Sequence, residues 1–296
     1  MSKLNRDTIC VEDAEVLEHR AYANDQYVLR LRAPDCAARA TAGSFVHLRC
    51  SEEVPMRRPL SIMRARPDEG WIEVLYKVIG HGLQRLAEVR PGDRISMLGP
   101  IGNGFSIDQE NTTALLIGGG VGIPPLVFLA EQIAATKAPV KTVAILGSEI
   151  PFPFDLVESE FALEGSPATA TMALACLEQI GIPSRLATNA GYPGCYAGFV
   201  TDLSREWLQS LQKEELATIQ VYSCGPGPML YAVAKLAAEF GLPTQLCLEE
   251  YMACAVGGCA GCAVEIQTPD GPAMKRVCVD GPVFAGDTVY PELAGP

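Results

Sequence analysis

Cys254, Cys259, Cys262 and Cys278 follow one another with four, two and fifteen residues between them. A CxxxxCxxC run with one distant cysteine is the spacing of plant-type 2Fe-2S clusters, in which a tight loop presents three thiolates to an inorganic core and a fourth closes it. The residues between the thiols, in ACAVGGCAGCAV, are Ala, Gly and Val. Such small groups let backbone N–H donors approach the sulfurs and tune the potential. Structural zinc is the competing reading, but zinc sites favour paired short spacings and often histidine, and no His lies beyond His81. Spacing alone leaves the distant fourth ligand open between Cys278 and Cys247.

The 296 residues, 48% of them hydrophobic, suffice for a sizeable core divided into two or three domains. The start, MSKLNRDTICVEDAEV, is charged and has no apolar run of signal-peptide length, and no later stretch reaches the ~18 apolar residues of a membrane span. A cytoplasmic protein is therefore expected. Eleven cysteines is an odd count in a large chain, and four belong to the cluster spacing, so Cys36 and Cys176 are expected to be buried thiols rather than disulfide partners. A net charge of −12 argues against nucleic acid or an anionic membrane as partner.

Residues 1–108 read as short strands broken by turns: YVLRLRAP, GSFVHLRC, RRPLSIMRA, GWIEVLYKVIG and DRISMLG, with one short helix over His81 to Val89. That is an antiparallel barrel pattern. From Thr113 the texture changes to buried strands alternating with amphipathic helices: TALLIGGG, PPLVFLAEQIAA, KTVAILG, SRLAT, EWLQSLQ, IQVYSCG and MLYAVAKLAAEFG. This predicts a parallel α/β layer over 109–243. A tail over 244–296 holds the cysteine loop among the strand candidates TQLCL, AVEIQ and KRVCV. The expected architecture is an antiparallel β-barrel, an α/β parallel-sheet domain and a small C-terminal iron-sulfur subdomain.

Within the barrel, Arg58, Pro59, Leu60 and Ser61 put a guanidinium and a hydroxyl on one strand. A guanidinium satisfies a pyrophosphate bidentately, and a serine hydroxyl or its N–H can reach the edge of an isoalloxazine, so the string can clamp a flavin. An arginine solvated on an edge strand is the alternative. Lys77, Val78, Gly80 and Gly82 lead into the short helix, whose free N–H groups can take a second phosphate contact. Gly102 and Gly104, in the loop Pro100 to Phe105, are a candidate seat for the adenine end of a dinucleotide, or a plain interdomain turn. Gly119, Gly120 and Gly122, followed by Ile123, Pro124 and Pro125, end a buried strand and open a helix, an arrangement that exposes N–H groups to pyrophosphate. Cys224, Gly225 and Pro226 repeat the arrangement after a second strand. Two such turns are expected to border one crevice beyond the carboxyl ends of the strands, with Cys224 near a nicotinamide or else packed beneath the helix.

RRPLSI, GPIGNGF, IGGGVGIPPL, GFVTDL, YSCGPGPML, LEEYMACAVGGCAGC and VCVDGPVF occur in that order. With them the chain resembles the ferredoxin-NADP reductase-like flavoproteins, and among these the family of dihydroorotate dehydrogenase B electron transfer subunits, over nearly its whole length. The resemblance implies FAD in the barrel, NAD(H) as co-substrate of the α/β domain, and a 2Fe-2S cluster on Cys254, Cys259, Cys262 and Cys278. It also implies an FMN-containing catalytic subunit as partner, in a heterotetramer of two plus two. Electrons from dihydroorotate oxidation in pyrimidine biosynthesis would then pass through FMN, the cluster and FAD to NAD+, with no side-chain acid or base in this chain. A subunit of an NADH-dependent ferredoxin:NADP oxidoreductase or of a hydrogenase is the related alternative, and a zinc-stapled interaction scaffold the unrelated one. Leu83 departs from the family, which usually has threonine there, so only backbone donors remain at that phosphate contact. Thr188 to Tyr196 also departs, and Ser148 and Glu149 stand where an arginine is frequent, which favours NADH over NADPH.

Overall fold

Alternating inward residues close the first half of the chain on itself. In the computed structural model, which describes residues 9–107, 111–136 and 140–293, β1 (Cys10–Tyr22), β2 (Gln26–Arg32), β3 (Phe45–Leu48), β4 (Arg58–Arg66), β5 (Trp71–Lys77) and β6 (Arg94–Ile101) form a closed barrel. Its order is β1-β2-β5-β4-β3-β6, antiparallel throughout. The sequence reading passes over β1, because its four carboxylates, Glu12, Asp13, Glu15 and Glu18, hide a period-two pattern that buries only Ala14 and Val16. Two short helices, α1 (Pro34–Ala37) and α2 (Gly80–Leu86), interrupt the barrel strands.

The second half is a seven-stranded sheet. Its strands are β7 (Thr113–Gly119), β8 (Lys141–Gly147), β11 (Ser184–Thr188), β12 (Tyr196–Ala197), β13 (Ile219–Cys224), β14 (Thr244–Cys247) and β17 (Val283–Ala285). The order is β12-β11-β8-β7-β13-β14-β17, parallel except for β17. Between β8 and β11 lie β9 (Leu156–Glu158), β10 (Met172–Leu174) and α4 (Ala175–Glu178). The helices are α3 (Ile123–Ala135), α5 (Val200–Ser210), α6 (Lys213–Leu216) and α7 (Gly227–Phe240). Side-chain alternation along β7 divides the sheet into two faces. Leu115 and Ile117 pack with Val200, Leu203 and Trp207 of α5 and Val233 of α7, whereas Leu116 packs with α3 in a core continuous with the barrel interior. α3 is therefore sandwiched between sheet and barrel.

The tail contributes β15 (Ala263–Thr268), β16 (Gly271–Arg276) and α8 (Gly286–Val289), while β14 and β17 join the large sheet at its edge. KRVCV is not a strand along its length. β16 ends at Arg276, and residues 277–280 turn, with the N–H groups of Val279 and Asp280 both donating to Arg276 O. Arg276 N in return donates to Asp280 Oδ2 at 2.8 Å. Among the described residues no helix is long and apolar enough to cross a membrane.

Candidate functional site

The cysteine loop holds its shape through left-handed backbone. Ala255 and Ala260 both sit at φ 55° and Gly257 at 81°, conformations that small residues tolerate best and that turn N–H groups inward. Cys259 N donates to Cys254 Sγ, and Gly261 N to Cys259 Sγ, each at 3.4 Å. Burial pushes the Cys254 thiol up, but backbone N–H groups of Val256, Cys259 and Gly258 and the Cys259 thiol outweigh it and bring Cys254 down to about 7. On the other side Cys262 and Cys278 Sγ lie 3.4 Å apart, and burial with the Cys262 contact pushes Cys278 up to about 12. The four thiols thus stand as two pairs. That arrangement suits a centre with two metal ions better than one tetrahedral zinc. Cys247, the other candidate by spacing, is in β14 opposite Cys224 of β13, so the fold removes it from the loop.

Beneath the loop, Ala255, Cys262, Val277 and Cys278 pack on Phe45 and Ile101 of the barrel. Phe45 is the register partner of Ser61, so the candidate flavin contact and the floor of the cysteine loop are on neighbouring strands. Asn103 fastens the joint. Its N–H donates to Gly281 O at 2.6 Å, and its side-chain amide donates to Val279 O and Asp280 O at 3.0 and 3.1 Å. A Cβ on Gly102 would meet Pro282 Cδ at 2.4 Å, and one on Gly104 would meet Ala42 O at 2.2 Å. The protein's own chain occupies the side of each glycine on which a Cβ would stand, so both must be glycine for the loop to close on its neighbours.

On β4 Arg58 lies over Gly82. A Cβ there would come within 2.9 Å of the Arg58 guanidinium, so the arginine string and the glycine of α2, 24 residues apart, form one surface. Arg58 Nη1 donates to Met56 O at 2.8 Å, which leaves Nη2 and Nε toward Gly82. Lys77 and Val78 are half-buried and Gly80 is exposed beside them. Leu60 and Leu83 point into the core, so neither side chain faces that surface.

The two glycine turns interlock. A Cβ on Gly122 would lie 2.4 Å from Cys224 C and O, and one on Gly119 would lie 2.5 Å from Met229 Sδ. At Gly122, where the neighbour is backbone, only glycine permits this approach. Ser223 Oγ donates to Ile117 O at 2.8 Å and ties the two strands below the turns. Prolines open both α3 and α7, where a missing N–H costs nothing. Cys224 is 0% exposed and contacts Cys247, so its thiol packs beneath the turn, whose exposed residue is Pro226. At the end of β8, Glu149 Oε1 accepts from Asn189 Nδ2 at 3.3 Å, which joins the two stretches named above as departures from the pattern that the chain resembles. Tyr196, within the same departure, forms the edge strand β12 and donates to Glu206 Oε1 at 2.8 Å.

Sequence reasoning missed His47 and Glu131. His47 on β3 is fully buried, and its ring makes no well-formed hydrogen bond, only loose approaches to the backbone of Arg57 and Met252. Burial and the nearby Arg57 lower it to about 4, so it is neutral. Nothing in its sequence neighbourhood marks it, and Glu131 is one acidic residue among apolar ones on α3.

A family profile for the iron-sulfur cluster binding domain of dihydroorotate dehydrogenase B matches residues 249–290, a span that contains all four loop cysteines. The chain is 33% identical over 276 residues to the dihydroorotate dehydrogenase B (NAD(+)) electron transfer subunit of Desulforamulus reducens, covering 93% of this chain and 96% of that one. It is 35% identical over 294 residues to the subunit of the same description from Geobacillus kaustophilus, covering 97% and 99%. Among solved structures it is similar to that of an NADH-dependent reduced ferredoxin-NADP oxidoreductase studied for flavin-based electron bifurcation. The TM-score there is 0.75 at 26% identity, covering 95% of this chain and 91% of that one.

Proposed function

The chain belongs to the family of dihydroorotate dehydrogenase B electron transfer subunits, and from that premise we propose that it carries electrons between an FMN-containing dihydroorotate-oxidising subunit and NAD+. Its cofactors are FAD and a 2Fe-2S cluster, with NAD(H) as co-substrate. The observation that carries the reading is the Phe45–Ser61 register pair, because it places the floor of the cysteine loop one strand from the proposed flavin contact. Paired strands lie about 5 Å apart. FAD, when bound, supplies the conversion between two-electron exchange with nicotinamide and one-electron exchange with an iron-sulfur centre.

In this reading residues 1–108, 109–243 and 244–296 are the flavin, nicotinamide and cluster units. Arg58 holds the flavin pyrophosphate by charge, the backbone around Gly80 and Gly82 adds neutral donors, and Ser61 contacts the ring edge. Gly119, Gly120, Gly122 and Gly225 bring backbone close to the nicotinamide nucleotide, and Glu149 accepts from its ribose and repels a 2′-phosphate. Cys254, Cys259, Cys262 and Cys278 hold the cluster. Tyr251, 93% exposed, and Val256, 44% exposed, flank the loop and form the face on which the catalytic subunit docks in a complex of two plus two. The pathway is pyrimidine biosynthesis, in the cytoplasm.

Co-purification with the FMN subunit and an assay of dihydroorotate-dependent NAD+ reduction tests the proposal. Activity with flavin bands and a reddish iron-sulfur shoulder is expected, and a flavin- and cluster-replete complex without turnover would refute it. The similarity to the NADH-dependent ferredoxin-NADP oxidoreductase favours a second reading, a subunit of such a bifurcating enzyme. NADH-linked ferredoxin and NADP turnover in place of dihydroorotate turnover would establish that one.

A further inference from the structure

α3 touches both halves of the proposed reaction. It leaves the Gly120–Gly122 turn at its N-terminus, and about 12 Å along its axis it presents Glu131 to the barrel. Glu131 sits between two arginines of β4. Arg64 Nε donates to its Oε1 at 2.6 Å, and Arg66 pairs with Oε2 at 2.8 Å. Arg64 is gripped from its other side by Glu73 of β5, whose carboxylate is 1% exposed and takes Arg64 Nη1 at 3.0 Å and Arg30 Nη2 at 2.7 Å. Beside Glu131, Gln132 accepts a hydrogen bond from Ala42 N at 3.0 Å.

This ionic cluster sits in an otherwise apolar joint, where α3 buries Leu126, Val127, Leu129, Ala130 and Ile133. Burying charges costs desolvation that roughly offsets their attraction, so such a pair adds little net stability; its better-attested use is to specify one register among several. Apolar surfaces pack acceptably in neighbouring positions, whereas a planar guanidinium between two carboxylates fits in one. The same strand, β4, begins with Arg58 and Ser61, and the same helix begins at the glycine turn.

We propose that Arg64 and Glu131, backed by Glu73, form a positioning strut that sets the register of the nicotinamide turn against the flavin strand. The inference rests on the FAD and NAD(H) assignment made above and deepens it. Hydride transfer needs the reacting atoms within about 3–3.5 Å, and a misplacement of about 1 Å costs on the order of 10²-fold in rate. The strut acts through α3 and β4 and touches no reactant itself.

The test uses the FAD- and cluster-loaded complex with its partner subunit, comparing wild type, Glu131→Gln, Arg64→Lys and the double variant Arg64→Met with Glu131→Met. Stopped-flow reduction by NADH should slow at saturation by at least ~10-fold in Glu131→Gln and in the double variant, with NADH affinity changed less than ~3-fold. The long-wavelength charge-transfer absorbance of the nicotinamide–flavin complex should weaken in parallel, while FAD and iron contents stay at wild-type levels. Arg64→Lys, which keeps the charge and loses the fork, should fall between. The double variant leaves no unpaired carboxylate at Glu131 and separates alignment from folding, so it decides if Glu131→Gln fails to fold. A double variant with wild-type rate and charge-transfer band overturns the strut alone. A wild-type complex that accepts no hydride from NADH overturns the functional assignment, and the strut with it.

Discussion

The barrel holds its two neighbours by different means. Toward the tail the contact is apolar and backbone-tied: Phe45 and Ile101 under the cysteine loop, Asn103 sewn to residues 279–281, and Gly102 filled by Pro282. Toward the sheet it is apolar at α3 but ringed by side-chain polar ties, Arg64 and Arg66 to Glu131, Ala42 to Gln132, and Gln26 to Pro151 O at 2.7 Å. At the first joint Asn103 and Gly102 close on residues 279–282, as suits two electron carriers kept at a constant separation. The second lies beside two interlocking glycine turns, where the nicotinamide nucleotide is proposed to bind.

The largest expected effect separates the two joints outright. Cys278→Ser should abolish the iron-sulfur absorbance and iron content while FAD remains bound and NADH still bleaches it; Cys247→Ser, in the sheet, should keep full iron. Loss of iron in Cys247→Ser would show that the loop is closed differently. Gly122→Ala attacks the other joint, because its Cβ would overlap the Cys224 backbone at 2.4 Å. Overpacking of that kind costs about 1–3 kcal/mol, and calorimetry should show that loss together with weaker NADH binding and an unchanged cluster. Asn103→Ala removes two side-chain bonds from the tail joint and should lower stability by about 1–3 kcal/mol in denaturant melts without altering NADH affinity.

The smallest effect lies at His47, on the strand between the joints. Its folded value is lowered to about 4 from 6.5, chiefly by burial, so the unfolded chain binds the proton first. Stability should therefore fall as pH drops from 6.5 toward 4, and His47→Leu should flatten that arm of the melting profile. An unchanged acid arm in the variant would place the titration elsewhere.

Much of this was legible in sequence because the signals are local. The cysteine spacing, the glycines that end β7 and the apolar runs of β8, β11 and β13 each need only a few consecutive residues to declare themselves. β1 was not legible, since its inward positions are an alanine and a valine among carboxylates. KRVCV had strand composition, yet the chain turns at Val277 and carries Cys278 to Cys262. Gly102 and Gly104 left a ligand loop and a plain interdomain turn both open, because a glycine that admits a ligand and one that admits a neighbouring backbone look alike in sequence. Cys224 likewise left two readings open, near a nicotinamide or packed beneath the helix, and only the contact with Cys247 shows where the thiol lies.

By itself the sequence determined the parts: a barrel, a parallel α/β layer, and a loop with thiols spaced for an iron-sulfur centre. Only the tertiary structure decided how they meet. It excluded Cys247 from the loop, set Phe45 beside Ser61, laid Arg58 over Gly82 and brought Glu131 to Arg64. Spacing and periodicity are properties of neighbours along the chain, fixed by backbone geometry. Pairings across dozens of residues are selected by burial and hydrogen-bond complementarity, which exist only once the chain has closed on itself.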